Sequence, residues 1–321
     1  MSQALLDVKK VTKAFGNGLL KSQDRVVALD SVDLSIPHEP ATIVAVAGES
    51  GSGKTTLAKL VLGFTKPTAG QILFAGQDVA DLRGAQLIEY RRQVQAIFQD
   101  PYEVFNPFYR VNHVFDQVIK HFQLADKGDD PEEAVKTALN MTGLRPEDVL
   151  GKYPHQLSGG QRQRIMIARA LMLRPRLILA DEPVSMIDAS LRAMILEILQ
   201  RMRNEQSISF LYITHDLSTA YQISDKIYIL YRGWIVEQGD TARVIENPQH
   251  PYLQLLIDSV PIPDPSQRWD SAISLGGAVD GREATGCPFY SRCPARTRRC
   301  LTKRPSLRPI EGEDHQVRCY L

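Results

Sequence analysis

The sequence predicts an α/β fold with a mostly parallel core sheet, an antiparallel β subdomain, a helical subdomain and a small irregular C-terminal domain. Three observations carry that prediction. Short, almost wholly apolar runs, "ATIVAVAG", "PRLILADEP" and "SISFLYITHD", alternate with helical patterns, as buried parallel strands do. The first 45 or so residues show strand-like alternation. Residues from about 100 to 174 carry amphipathic helical spacing.

In chain order, "LLDVKKVTKAF" and "VVALDSVDLSI" are the opening strands, with the polar "GNGLLKSQD" as the turn between them. "ATIVAVAG" stops at Gly48, and glycine-rich sequence leads into "KTTLAKLVLGF", whose apolar spacing suits a helix. "VNHVFDQVIKHFQL" and "PEEAVKTALNMTGL" are amphipathic helices separated by a "DKGDD" loop. Beyond Gly239 the texture changes: "ENPQHPYLQLLIDSVPIPDP" sets one short helix between prolines, and the remaining residues are rich in Gly, Pro, Arg and Cys. The expected boundary near residue 250 divides a domain of residues 1–250 from a tail of residues 251–321.

Of 321 residues, 43% are apolar and 23% charged, enough to bury one large core or two unequal ones. The 38 basic and 37 acidic residues nearly cancel, so no global field favours nucleic acid or an acidic membrane surface. No apolar run approaches the roughly 18 to 20 residues needed to cross a bilayer, and "MSQALLDVKKVTKAFG" lacks the apolar centre of a signal peptide. A cytoplasmic chain is therefore expected.

"GESGSGKTT", Gly48 to Thr56, fits the phosphate-loop pattern G-x-x-x-x-G-K-[ST] and lies between a buried strand and a helix. Its glycines let successive N–H groups and the helix N-terminus face a phosphate. The expected nucleotide set here is Gly48, Ser50, Gly51, Gly53, Lys54, Thr55 and Thr56. Lys54 would neutralise β- and γ-phosphate charge, and the Thr55 hydroxyl would ligate magnesium. "LILADE" ends an apolar strand in two acids, Asp181 to hold magnesium and Glu182 to face an attacking water. "LSGGQRQRIMIARAL" opens a further helix with Ser158 and two glycines, a second anion-binding terminus that one nucleotide per chain does not need.

At this point the chain resembles the ATP-binding cassette (ABC) ATPases, whose signature motif is "LSGGQ". The resemblance implies a head-to-tail dimer, with Ser158, Gly160 and Gln161 of one subunit closing over the γ-phosphate held by the phosphate loop of the other. It also implies roles for Gln99 of "AIFQDP", contacting magnesium and the attacking water; for Asp188 of "SMID", at the subunit contact; and for His215 of "YITHD", touching the γ-phosphate. Phe15 takes the adenine-stacking position where the family usually has tyrosine, and Met186-Ile187 replaces the usual Ala-Leu. The implied catalytic set is Glu182, His215 and Gln99.

Within that family, "NPQHPYLQLLIDSVP" followed by a cysteine-bearing tail resembles the oligopeptide and dipeptide importer subfamily, as does "QDPYEVFNPFYRV". The resemblance implies an ATPase and translocase at the cytoplasmic face of the inner membrane. It implies a second ABC ATPase subunit, forming a heterodimer or a homodimer, and two transmembrane permease subunits. An extracytoplasmic solute-binding protein would help choose the cargo, a peptide, a nickel chelate or an oligosaccharide. A non-transport ABC ATPase of DNA repair or the ribosome is the alternative, but such proteins usually carry two cassettes or a long coiled coil, and this chain has one phosphate loop and no heptad run.

All four cysteines lie in the last 35 residues, spaced C-x5-C-x6-C-x18-C, with eight Lys or Arg and three acids among them from Cys287 onward. A reducing cytoplasm disfavours disulfides, and the spacing lacks both the short knuckles of zinc sites and the tight run of bacterial ferredoxins. Zinc stays open on these grounds. The subfamily resemblance implies that Cys287, Cys293, Cys300 and Cys319 ligate a [4Fe-4S] cluster, structural in role, with zinc the second choice.

Overall fold

The computed structural model describes residues 4–16, 26–100, 104–124, 130–260, 286–310 and 314–321. The predicted "GNGLLKSQD" turn lies outside them except for Gly16, and so does the "DKGDD" loop except for Asp130. Strand β1 (Ala4–Phe15) pairs antiparallel with β2 (Val26–Pro37), Asp7 opposite Ser35 and Val8 opposite Leu34. After β3 (Ile43–Ala47) and helix α1 (Lys54–Val61), strands β4 (Ala69–Phe74) and β5 (Gln77–Asp78) complete a four-stranded antiparallel sheet of order β2-β1-β4-β5.

Helix α2 (Gly84–Gln93) leads into β6 (Val94–Ile97), and the helical region follows as α3 (Asn112–Phe122), α4 (Pro131–Met141), α5 (Pro146–Val149) and α6 (Gly159–Leu171). The start of α4 is set locally: Asp130 accepts from the N–H groups of Glu132 and Glu133, Pro131 takes the first turn, and two glutamates face the positive end of the helix dipole. Next come β7 (Leu177–Asp181), α7 (Ala189–Gln206), β8 (Ser209–Thr214), α8 (Leu217–Ile223), β9 (Lys226–Tyr231) and β10 (Trp234–Asp240). The last elements are α9 (Thr241–Glu246), α10 (Pro251–Asp258), α11 (Arg298–Thr302), β11 (Arg308–Pro309) and β12 (His315–Val317).

The large sheet has the order β11-β12-β10-β9-β3-β8-β7-β6 and is parallel from β9 through β6. Both of its faces are covered, which is why "IVAVA" carries no polar residue. Ile43, Ala45 and Ala47 point into a core built with α6, α7 and the helical region, while Val44 and Val46 point to a second core shared with α1 and the antiparallel sheet. Burying each such Val or Ile side chain contributes about 1.5–3 kcal/mol, so the sheet is rigid where the chemistry sits on its rim.

The tail does more than the Gly- and Pro-rich sequence suggested: β12 adds to the core sheet, antiparallel to β10, with Glu237 opposite Val317 and Gly239 opposite His315. Only three residues pair, too few to show as alternation in the sequence. The join is sealed by Glu237, which is fully buried and accepts from His315 Nε2 at 2.7 Å and from the N–H groups of Gln249 and His250 at 2.9 and 2.7 Å. Burial holds the Glu237 carboxyl above its ordinary value, and those donors offset only part of the rise. Phe289, 1% exposed, enters the main core beside Tyr231, Tyr252 and His250.

Candidate nucleotide-binding site

Because β3, β6, β7 and β8 run parallel, their C-terminal ends share one edge of the sheet. Register makes the alignment close: Ala47 lies opposite Thr214, Ile213 opposite Asp181, and Ala180 opposite Ile97. The residues that succeed these positions are Gly48, His215, Glu182 and, one residue further on, Gln99. Sequence positions 48, 99, 181–182 and 215 are thereby drawn into one row.

The phosphate loop wraps the start of α1. Gly53 holds φ at +113°, which L side chains rarely adopt, and a Cβ at Gly48 would lie 2.1 Å from the Leu230 carbonyl oxygen. Lys54 is buried; its ammonium donates to the carbonyls of Gly48 (2.6 Å) and Glu49 (2.9 Å). Burial lowers its pKa, opposed by the carboxylates of Glu182, Asp181 and Glu49. Ser50, Gly51 and Thr55 are exposed, and Thr56 is half-buried. The Ser52 hydroxyl is buried beside Gly48 with no hydrogen-bond partner among the described residues. A buried ammonium, an orphaned hydroxyl and a cradle with no room for a Cβ fit a bound phosphate.

Asp181 ends β7, its carboxyl raised by burial and by Glu182 and lowered by Lys54 and Lys59. Glu182 adopts φ +47°, a strained conformation for a non-glycine residue, secured by its N–H donating to Ile213 at 2.8 Å. Its carboxylate pairs with His215 Nδ1 at 2.9 Å, so two of the three predicted catalytic residues touch. Gln99 is exposed just past β6. Phe15, 47% exposed, ends β1 with the Lys13 ammonium 5.2 Å from its ring centre.

Ser158 caps α6: its hydroxyl accepts from the Gln161 N–H at 3.2 Å, and the Gln161 side chain accepts from the Ser158 N–H at 3.0 Å. A Cβ at Gly160 would lie 2.5 Å from Leu191, so α6 and α7 meet here without a side chain between them. Asp188 caps α7 and accepts from Ser190 and Leu191; those bonds lower its pKa, led by the one from the Leu191 N–H. Ser158, Met186 and Asp188 are all exposed.

The four cysteines line one small cavity in the tail, beside His250 and Phe289. The Cys287 N–H donates to the Cys300 carbonyl at 2.8 Å, tying two of the cysteine-bearing loops together. Burial pushes the Cys287 thiol up to about 11 and also raises Cys293 and Cys319. Among the described residues, no three His, Cys, Asp or Glu side chains close far enough to hold a single metal ion. The thiols surround a shared space instead of closing on one point.

A model for the ABC transporter family matches residues 29–185, and one for the oligopeptide/dipeptide transporter C-terminal region matches residues 236–300. A probable peptide ABC transporter ATP-binding protein of Sinorhizobium fredii is 37% identical over 325 aligned positions, covering 100% of this chain and 91% of that one. The chain belongs to the ABC transporter ATP-binding proteins of the oligopeptide/dipeptide type. The oligopeptide transport ATP-binding protein OppF of Salmonella typhimurium is 37% identical over 299 positions, 91% of this chain and 87% of that one. Among solved structures, the ATP-binding cassette MJ0796, a dimer bound to ADP and phosphate, matches with TM-score 0.63 and 29% identity over 74% of this chain and 98% of that one. CbiO1 of Clostridium perfringens matches with TM-score 0.65 and 26% identity over 76% and 92%.

This ABC protein is therefore an ATPase, and its relatives leave the non-transport alternative without support. The C-terminal family match stops at Cys300, before Cys319. Sequence reasoning missed three residues around the phosphate loop of this ABC ATPase. Ser52 occupies a position that the loop pattern leaves free. Tyr252 and Arg292, which hold Glu49 from 203 and 243 positions away, carry no local signal.

Proposed function

We propose that this chain drives import of peptides by ATP hydrolysis, paired head-to-tail with a different ABC ATPase subunit beneath two transmembrane permease subunits. The row formed by Gly48, Gln99, Asp181, Glu182 and His215 along one sheet edge carries the reading. Gly51, Gly53 and the α1 N-terminus present backbone N–H groups to the phosphates, with Ser50 and Thr56 beside them, and Lys54 neutralises their charge. Thr55, Gln99 and Asp181 would hold a magnesium ion, whose charge would offset that of the phosphates. Glu182 takes the proton from the attacking water; His215 orients that carboxylate through Nδ1, which leaves its other ring nitrogen, Nε2, for the γ-phosphate. Phe15 stacks on adenine.

Exposure of Ser158, Met186 and Asp188 supports a subunit contact there, with Gly160 and Gln161 at the γ-phosphate of the partner site. No helix among the described residues is long and apolar enough to span a membrane, in keeping with a peripheral subunit at the cytoplasmic face of the inner membrane. Peptides are favoured over oligosaccharides because the relatives are named for peptides, and an extracytoplasmic solute-binding protein delivers the cargo. Lys54→Ala should weaken ATP binding about 10- to 100-fold by calorimetry. An unchanged affinity would remove the phosphate-loop assignment.

The division near residue 250 is kept as a functional one, between an ATPase body and a cysteine tail. We assign Cys287, Cys293, Cys300 and Cys319 to a [4Fe-4S] cluster with a structural role, a reading supported by the four cysteines lining one cavity. Thiolates would be costly at buried Cys287 and half-buried Cys293, Cys300 and Cys319, and a cluster's iron would supply the compensating charge. Protein purified without oxygen should contain iron; zinc at one atom per chain without iron overturns the assignment.

A further inference from the structure

Glu49 puts a carboxylate inside a loop built to bind anions. Arg292, the residue before Cys293, answers it with a two-pronged ion pair: Nη1 to Oε2 at 2.8 Å and Nη2 to Oε1 at 2.9 Å. The guanidinium lies 5.8 Å from the Tyr231 ring centre and 5.6 Å from that of Phe289, which hold it in plane. The Glu49 N–H donates to the Tyr252 hydroxyl at 2.8 Å, and the Glu49 carbonyl accepts from Lys54 Nζ and from the Ser52 N–H. One residue, Glu49, therefore joins the tail, α10, the phosphate-binding lysine and the orphaned serine.

We propose that Arg292 is a positioning residue of the ATP site: from the cysteine tail it fixes the phosphate loop through Glu49 and cancels the charge that would repel the phosphates. The tail thereby sets ATP affinity, and the cysteine cavity shares a backbone segment with the clamp. This rests on the reading of Gly48–Thr56 as the phosphate loop.

The test measures ATP dependence of hydrolysis and ATP binding in the full chain for Arg292→Ala, Arg292→Gln, Glu49→Gln and the double variant Arg292→Ala/Glu49→Gln. The glutamine variant keeps a planar polar group for the tail's packing should the alanine variant not fold. Loss of a charged hydrogen-bonded pair predicts a KM for ATP raised about tenfold in either Arg292 variant, with kcat within about threefold. Glu49→Gln in the Arg292→Ala background should bring KM back to within about threefold of wild type, because the uncompensated charge is gone. A lower kcat or thermal stability with KM unchanged, or no rescue by Glu49→Gln, overturns the inference. Failure of the wild-type chain itself to bind ATP would sink the phosphate-loop reading first, and the clamp with it.

Discussion

Glu182→Gln is expected to lower steady-state ATP hydrolysis by about 100- to 10,000-fold while leaving ATP binding within a few-fold of wild type. The substitution keeps the side chain's size and its hydrogen-bonding reach but removes the basic oxygen. Everything around Glu182 is arranged to hold that oxygen in place: a strained φ of +47°, a 2.8 Å backbone bond to Ile213 in the neighbouring strand and a 2.9 Å contact with His215. Such a loss corresponds to about 3–5 kcal/mol of barrier, more than rearranging one surface hydrogen bond would cost. Binding should persist because Lys54 keeps its bonds to the Gly48 and Glu49 carbonyls and the neighbouring Asp181 and Glu49 carboxylates, and the N–H groups of the loop between β3 and α1 need no carboxylate. Turnover within a few-fold of wild type would remove Glu182 from the role of base.

Phe289→Ala is expected to destabilise the chain by about 3–5 kcal/mol in denaturant unfolding. The ring is 1% exposed and packs at 5.2 Å edge-to-face on Tyr231 and at 5.6 Å on Tyr252, so its removal leaves a cavity that aromatic neighbours fill poorly. Tyr252 and the Arg292 clamp share that packing, and limited proteolysis should accordingly cut the tail of the variant faster than that of wild type. A loss below about 1 kcal/mol would show that the tail is anchored by β12 and Glu237 instead.

The legible parts of the site were those whose geometry is local. A helix cap spans only about four residues, so Ser158 ahead of two glycines marked the start of α6, and the proline opening "PEEAVKTALNMTGL" marked that of α4. The phosphate loop needs glycines at fixed spacing around one turn, and Gly53 at φ +113° shows why. Almost wholly apolar runs marked β3, β7 and β8 because both sheet faces are covered. Where pairing spans long stretches of chain, the signal vanished: β12 on β10 involves three residues, and Arg292 is one arginine among eight basic residues in its stretch.

From residue order alone came the α/β class, the branch of the family, and the proposal of a nucleotide site with Lys54, Asp181 and Glu182. Tertiary structure decided which distant groups meet: His215 on Glu182, Arg292 on Glu49, His315 on Glu237, and four cysteines around one cavity. The division has a physical cause. Backbone turns and caps are satisfied within a few residues and so leave a pattern in the chain, whereas a salt bridge between positions 49 and 292 exists only once the sheet has brought its ends together.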